Sequence, residues 1–183
     1  MGLFDMFKKK GAPAPEASQK ATSTPSSIEV NAAGETLYAP VSGRVVAMSD
    51  VPDPVFSSEV LGKGCAIWPE STVVYAPCSG TVSVVMGHAV GLVADDGVEV
   101  LVHVGVDTVD MNGKGFTGYV ETGKKVKASD ALLSFDRAAI AAANHPDCVV
   151  VAVSNSAEYA SVSLVPAAES TVEAGAELVK VAK

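Results

Sequence analysis

The sequence predicts an all-β protein, a compact antiparallel β-sandwich or barrel with quasi-repeated halves. Three observations carry that prediction. Short valine-rich runs recur along the chain, separated by turn signals about every eight to twelve residues. The segment Tyr38-Ala-Pro-Val-Ser-Gly-Arg-Val-Val is echoed by Tyr75-Ala-Pro-Cys-Ser-Gly-Thr-Val-Ser. In each, a proline and a glycine bracket a turn that feeds a valine strand. A second pair rhymes later, Gly123-Lys-Lys-Val-Lys-Ala-Ser-Asp-Ala-Leu-Leu with Gly175-Ala-Glu-Leu-Val-Lys-Val.

Taken in order, residues 1–35 read as a flexible tail and 36–183 as one folded domain. The stretch Gly11-Ala-Pro-Ala-Pro-Glu-Ala-Ser-Gln-Lys has linker composition, with too little apolar surface to pack. At its head, Leu3, Phe4, Met6 and Phe7 stand beside Lys8, Lys9 and Lys10. Two readings of residues 1–10 stay open: a weak amphipathic contact with an anionic membrane surface, or a frayed terminus. Met6 breaks the pattern for myristoylation. No long apolar stretch suits a signal peptide or a span, so a cytoplasmic location is expected. Within the domain, Met86–Leu92 reads as a strand before the hairpin signal Asp95-Asp96-Gly97. One short helix is expected at 136–144, where alanines favour it and Pro146 stops it. His145 at its end would suit the negative end of the helix dipole, a structural role.

The net charge of −8 over 183 residues argues against a nucleic-acid partner. An acidic surface suits a basic protein partner, or serves solubility. Cys65, Cys78 and Cys148 form no CxxC pair and read as buried thiols in a reducing compartment. No P-loop or dinucleotide fingerprint is present.

Chemistry concentrates on histidine. In Gly97-Val-Glu-Val-Leu-Val-His-Val-Gly-Val-Asp, alternation puts Val98, Val100, Val102 and Val104 on one face of a strand. Leu101 and His103 then share the opposite face, directed towards solvent or a partner. His88 and His103 lie at similar distances on either side of the Asp95–Gly97 turn, so the hairpin brings the two imidazoles together. A neutral imidazole nitrogen is a competent nucleophile near neutral pH, and a second imidazole can orient it or bond an incoming oxyanion.

These residues sit within a longer ordered set: Ala39-Pro-Val-Ser-Gly, Val51-Pro-Asp-Pro-Val-Phe56, Gly62-Lys-Gly-Cys-Ala-Ile, Ala76-Pro-Cys-Ser-Gly-Thr, His88-Ala, Leu101-Val-His-Val-Gly-Val-Asp-Thr-Val and Asn112-Gly-Lys-Gly-Phe116. Over about residues 36–183 the chain resembles the glucose-type enzyme IIA component of the phosphoenolpyruvate-dependent sugar phosphotransferase system. The resemblance implies a sandwich of the duplicated-hybrid-motif kind. It implies that His103 accepts a phosphoryl group on Nε2 from phosphorylated HPr and passes it to a cysteine of a sugar-specific IIB domain, without a cofactor. His88 would balance the phosphoryl charge, and the Gly105 carbonyl would hold the Nδ1 of His103. Asp53 and Asp107 match acidic positions flanking the site, while Phe56 and Leu101 match an apolar ring on which partners dock. The resemblance also leaves room for regulated proteins as a further class of partner. The resemblance departs at Met86, where family members usually carry a threonine that bonds the second histidine.

Rival readings have their own requirements. A zinc-binding hydrolase of a related sandwich fold would use His88, His103 and Asp107, but no HxH completes the site. A lipoyl or biotin carrier would need a modified lysine at a hairpin tip, and Lys63 and Lys114 lack that context.

Overall fold

The computed structural model describes residues 19–20 and 23–183. The proposed membrane-contact segment, residues 1–10, lies outside the described residues. In chain order the strands are β1 (Gln19–Lys20), β2 (Thr36–Tyr38), β3 (Gly43–Ala47), β4 (Lys63–Pro69), β5 (Val73–Tyr75), β6 (Gly80–Met86), β7 (Ala89–Ala94) and β8 (Glu99–Val104). There follow β9 (Phe116–Gly118), β10 (Lys125–Val126), β11 (Ala131–Phe135), β12 (Val149–Val153), β13 (Ser161–Leu164), β14 (Thr171–Val172) and β15 (Glu177–Ala182). The short helices α1 (Pro54–Ser57) and α2 (Arg137–Ala142) interrupt them.

An eight-stranded sheet runs β10-β6-β7-β8-β12-β4-β3-β14. Smaller sheets, β1-β9-β11-β5 and β13-β15-β2, complete a mostly antiparallel sandwich that does not close into a barrel. Among the described residues the parallel pairing is that of β1 with β9. Backbone contacts also link the segment before Thr36 to the domain. The Ile28 N–H donates to the Ser129 carbonyl, and the Tyr38 hydroxyl donates to the Asn31 carbonyl.

The repeat read from Tyr38 and Tyr75 is a structural repeat. The Tyr38 N–H donates to the Pro77 carbonyl at 2.8 Å, and the Tyr75 N–H donates to the Pro40 carbonyl at 2.9 Å. Ala39 and Ala76 then donate to Ala176 and Asp130, each at 2.8 Å, and accept from Gly175 and Ser129. Each echo therefore forms a corner with the other, and a later segment of its own half caps it. The bonds equate Gly175 with Ser129, not with Gly123 as the sequence rhyme suggests. Both take a left-handed backbone, which disguises the match because one is glycine and the other serine.

Alternation along the strands divides the large sheet into two faces. Val45, Cys65, Ile67, Val90, Leu92, Val100, Val102, Val104, Val149, Val151 and Val153 join the main core between the sheets. Val46, Ala66, Ala89, Leu101, Val150 and Ala152 point the other way, into a second apolar cluster. That cluster is closed by Met48, Val51, Phe56 and Leu61 from the segment that crosses between β3 and β4. The expectation that this face meets solvent is therefore corrected. Alternation is a local signal, whereas the covering segment returns to β8 from far along the chain.

The helix expected at 136–144 forms over Arg137–Ala142. Asp136 Oδ1 accepts from the Ala138 and Ala139 N–H groups at 2.9 and 3.2 Å, an N-cap, and Asn144 leaves the helix in the left-handed region. His145 Nε2 lies 2.7 Å from Asp110 Oδ1, tying the helix exit to the turn after β8.

Candidate functional site

The Asp95–Gly97 turn joins β7 to β8 as read from sequence. The Gly97 N–H donates to the Ala94 carbonyl, and Gly97 takes φ +93, a value that favours glycine. The register then pairs Ala89 with His103, and the Val104 N–H donates to the His88 carbonyl at 2.8 Å. His88 thus lies one step beyond the strand. The strand expected from Met86 begins only at Ala89, because Gly87 and His88 form the two-residue turn between β6 and β7. The two imidazoles meet edge to face, with ring centroids 4.7 Å apart at 76°.

Around this pair the packing is tight. Phe56 approaches His103 edge-on at 5.0 Å, and Phe116 stands 6.3 Å from His88. Asp53 positions Phe56 indirectly. Its Oδ1 accepts from the Val55 and Phe56 N–H groups at 2.7 and 3.2 Å, capping α1, and Pro54 occupies the first helical turn. His103 is 7% exposed and His88 2%, so the exposed imidazole that alternation suggested is in fact nearly buried. Leu101, expected in a docking ring, is 1% exposed and lies beneath the site as support.

The Nδ1 of His103 lies 2.8 Å from the Gly105 carbonyl oxygen. A carbonyl only accepts, so Nδ1 carries the proton and donates, leaving a lone pair on Nε2. Burial, and then the neighbouring His88, push the His103 pKa down from 6.5 to about 3, against the opposing pull of the Gly105 carbonyl. The imidazole is consequently neutral throughout the physiological range. Gly105 itself has φ +77, and a Cβ there would stand 2.3 Å from Thr108 Cγ2 and 2.9 Å from the Pro146 oxygen. Glycine is required twice over, by conformation and by space.

Asp107 does not continue the histidine's face. The chain turns at Gly105, and Asp107 is an exposed left-handed residue leading into a 3₁₀ turn over Thr108–Met111. Among the described residues, no group of three or more His, Cys, Asp and Glu side chains is placed to hold a metal ion. His88, His103 and Asp107 are therefore not assembled as zinc ligands. Nor does the nearby Cys148 compete as a nucleophile: burial, helped by the charges of Asp147 and Asp53, pushes its thiol up to about 12. Thr108, 0% exposed, donates its hydroxyl to the Val104 carbonyl at 2.5 Å. It escaped the sequence reading, although a threonine four residues past a strand's last residue can bond back to that carbonyl.

Residues 35–159 match the family described as the phosphoenolpyruvate-dependent sugar phosphotransferase system, EIIA 1. The chain belongs to this family. As an enzyme IIA domain it is a phosphotransferase component and carries a phosphoryl group. It is 45% identical over 140 residues to a mannose-specific EIIBCA component of Corynebacterium glutamicum, covering 74% of this chain and 20% of that protein. It is 42% identical over 146 residues to a beta-glucoside-specific EIIBCA component of Dickeya chrysanthemi, covering 79% and 23%. The chain thus spans about a fifth of the length of these relatives. The glucose permease IIA of Mycoplasma capricolum superposes with a TM-score of 0.70 at 30% identity, over 79% of this chain and 93% of that one. Among the described residues no helix is long and apolar enough to cross a membrane.

Proposed function

We propose that this enzyme IIA domain relays the phosphoryl group on His103 Nε2, taking it from phosphorylated HPr and giving it to a cysteine of a sugar-specific IIB domain in the cytoplasm. One observation carries the assignment: the Nδ1–H of His103 is committed to the Gly105 carbonyl in an imidazole that burial keeps neutral. Nε2 is then a ready nucleophile that needs no metal and no nucleotide. Its lone pair forms the new N–P bond as the donor's P–N bond breaks, and that electron pair returns to the donor imidazole. The apolar surroundings supplied by Phe56 and the second cluster exclude water, which favours transfer over hydrolysis.

His88, in ring contact with His103, is proposed to stabilise the phosphoryl oxygens during arrival and departure. Asp53 and Asp107 are proposed to meet the partners, while Phe56, 5% exposed, and Leu101, 1% exposed, are proposed to support the site from within. Residues 1–35 are proposed as a tail on the 36–183 domain, its first ten residues able to touch a membrane surface. Relatives named for mannose and for beta-glucosides share this domain at similar identity, which fits a sugar choice made outside it.

The test is incubation with phosphoenolpyruvate, enzyme I and HPr, followed by mapping of acid-labile phosphate. Label is expected on His103, lost in His103→Ala and retained in His88→Ala. An unlabelled wild type overturns the proposal.

A further inference from the structure

We propose that Thr108 is a positioning residue for phosphoryl acceptance, holding the peptide turn whose carbonyl keeps the His103 proton on Nδ1. The proposal rests on His103 as the acceptor. The turn after β8 consists of two successive peptide units, each bonded at both ends. In the first, the Val104 carbonyl accepts from the Thr108 hydroxyl at 2.5 Å, and the Gly105 N–H donates to the Cys148 carbonyl at 2.8 Å. In the second, the Gly105 carbonyl accepts from His103 Nδ1 at 2.8 Å, and the Val106 N–H donates to the Pro146 carbonyl at 3.0 Å. Apart from the His103 ring itself, backbone supplies the other described members of this frame. Thr108 is the one side chain that holds the turn without being the proposed nucleophile.

Both arms of Thr108 press on the same place. The hydroxyl fixes the orientation of the Val104–Gly105 peptide, and the γ-methyl occupies the space beside the Gly105 Cα where a Cβ would otherwise project. Removing the hydroxyl leaves a buried carbonyl without its donor, and rotation of that peptide towards another partner carries the Gly105 carbonyl with it. The consequence is specific to the chemistry. A neutral imidazole holds one proton, and the bond made by one nitrogen decides which nitrogen keeps the lone pair. Without the Gly105 acceptor in place, a share of molecules carries the proton on Nε2. Those molecules have no lone pair there with which to form the N–P bond.

The experiment is nitrogen-15 NMR of the histidine side chains in the full, unphosphorylated chain, joined to phosphorylation kinetics with phosphorylated HPr. Thr108→Val removes the hydroxyl at similar volume, and Thr108→Ser keeps it. Val153→Ala, in the main core, serves as a comparably destabilised control. The expected result is a clear Nδ1–H signature for His103 in the wild type, in Thr108→Ser and in Val153→Ala. In Thr108→Val a mixed tautomer is expected, with kcat lower by about tenfold, the scale of one lost buried hydrogen bond, and KM for phosphorylated HPr unchanged. A wild-type tautomer and kcat in Thr108→Val overturn the proposal, as does the same kinetic loss in Val153→Ala. Should Thr108→Val not fold, Thr108→Ala takes its place, and a wild-type tautomer and kcat in that variant overturn the proposal equally. The tautomer is read before any phosphate is added. If it responds to Thr108 while His103 takes no label, the positioning stands and the acceptor assignment falls.

Discussion

The two faces of β8 share a backbone and differ in almost everything else. On one, Val100, Val102 and Val104 meet other aliphatic side chains in the main core between the sheets. On the other, Leu101 and His103 lie under the segment that carries Met48, Val51 and Phe56, with His88 brought alongside by the neighbouring turn. The valine face is apolar, and it supplies stability through buried area. The histidine face is just as deeply buried but encloses two imidazoles, one of them bonded to a carbonyl. Its packing therefore does something the valine packing does not: it sets the charge state and the tautomer of a nucleophile. Burial has a structural meaning on one side of the strand and a chemical meaning on the other.

Truncation on each face should separate the two meanings. Leu101→Ala and Val102→Ala both empty fully buried volume, and each should lower stability in chemical denaturation, Leu101→Ala by about 2–5 kcal/mol and Val102→Ala by about 2. Well below either melting temperature, the rate of phosphorylation by phosphorylated HPr should fall in Leu101→Ala and stay near wild type in Val102→Ala. Equal rates in the two variants would break the distinction between the faces.

A pH titration on the acid side sharpens the same contrast, because the histidine face holds His103, whose protonation below neutrality differs between folded and unfolded chains, whereas the buried thiols of the main core are shifted upward, away from that range. His103 titrates near 6.5 when unfolded and is pushed down to about 3 in the fold. Between those values the unfolded chain binds the proton and the folded one does not. The neutral imidazole's contribution is therefore complete above about pH 6.5 and is lost as pH falls towards 3. Wild type should lose stability on acidification faster than His103→Gln, with a difference in slope of up to about 1.4 kcal/mol per pH unit. Parallel acid limbs would show that the ring is not held neutral.

Which face was legible in sequence follows the range of the signals. The valine run and the Asp95–Gly97 turn are local, and they suffice to place β7 against β8 and His88 near His103. The echo of Tyr38 in Tyr75 is visible in the residues themselves, and it predicts quasi-repeated halves, though not that the two corners bond to each other. The cover over His103 is not local. Nothing near β8 shows that Val51–Phe56 will fold across it, so a buried imidazole reads as an exposed one. The later repeat aligns differently in sequence and in structure for a related reason. A left-handed position is easily seen at Gly175 and hidden at Ser129, where the hydrogen bond to the Ala76 corner holds it on a residue that does not advertise it. Thr108 is not legible in sequence, because its meaning depends on where the Val104 carbonyl points, which only the turned chain reveals.

The smallest effect expected concerns the edge of the cover, and it asks how stiff that edge must be. The Asp53 carboxylate accepts from the N–H groups of Val55 and Phe56, and the Phe56 ring in turn meets His103. Asp53→Ala removes the cap from a helix of a single turn and should lower global stability by about 1 kcal/mol in denaturant titration. Asp53→Asn keeps an oxygen acceptor at the cap while removing the charge, and should recover most of that stability. The pair then separates two contributions to partner transfer. If the carboxylate matters only as a cap, phosphorylation in Asp53→Asn should match wild type. If its charge also meets a basic partner, Asp53→Asn should show a raised KM for phosphorylated HPr that grows less distinct from wild type as salt screens the attraction. A rate unchanged in Asp53→Ala would show that the cover need not hold Phe56 tightly, and that the tautomer frame at Gly105 alone prepares His103.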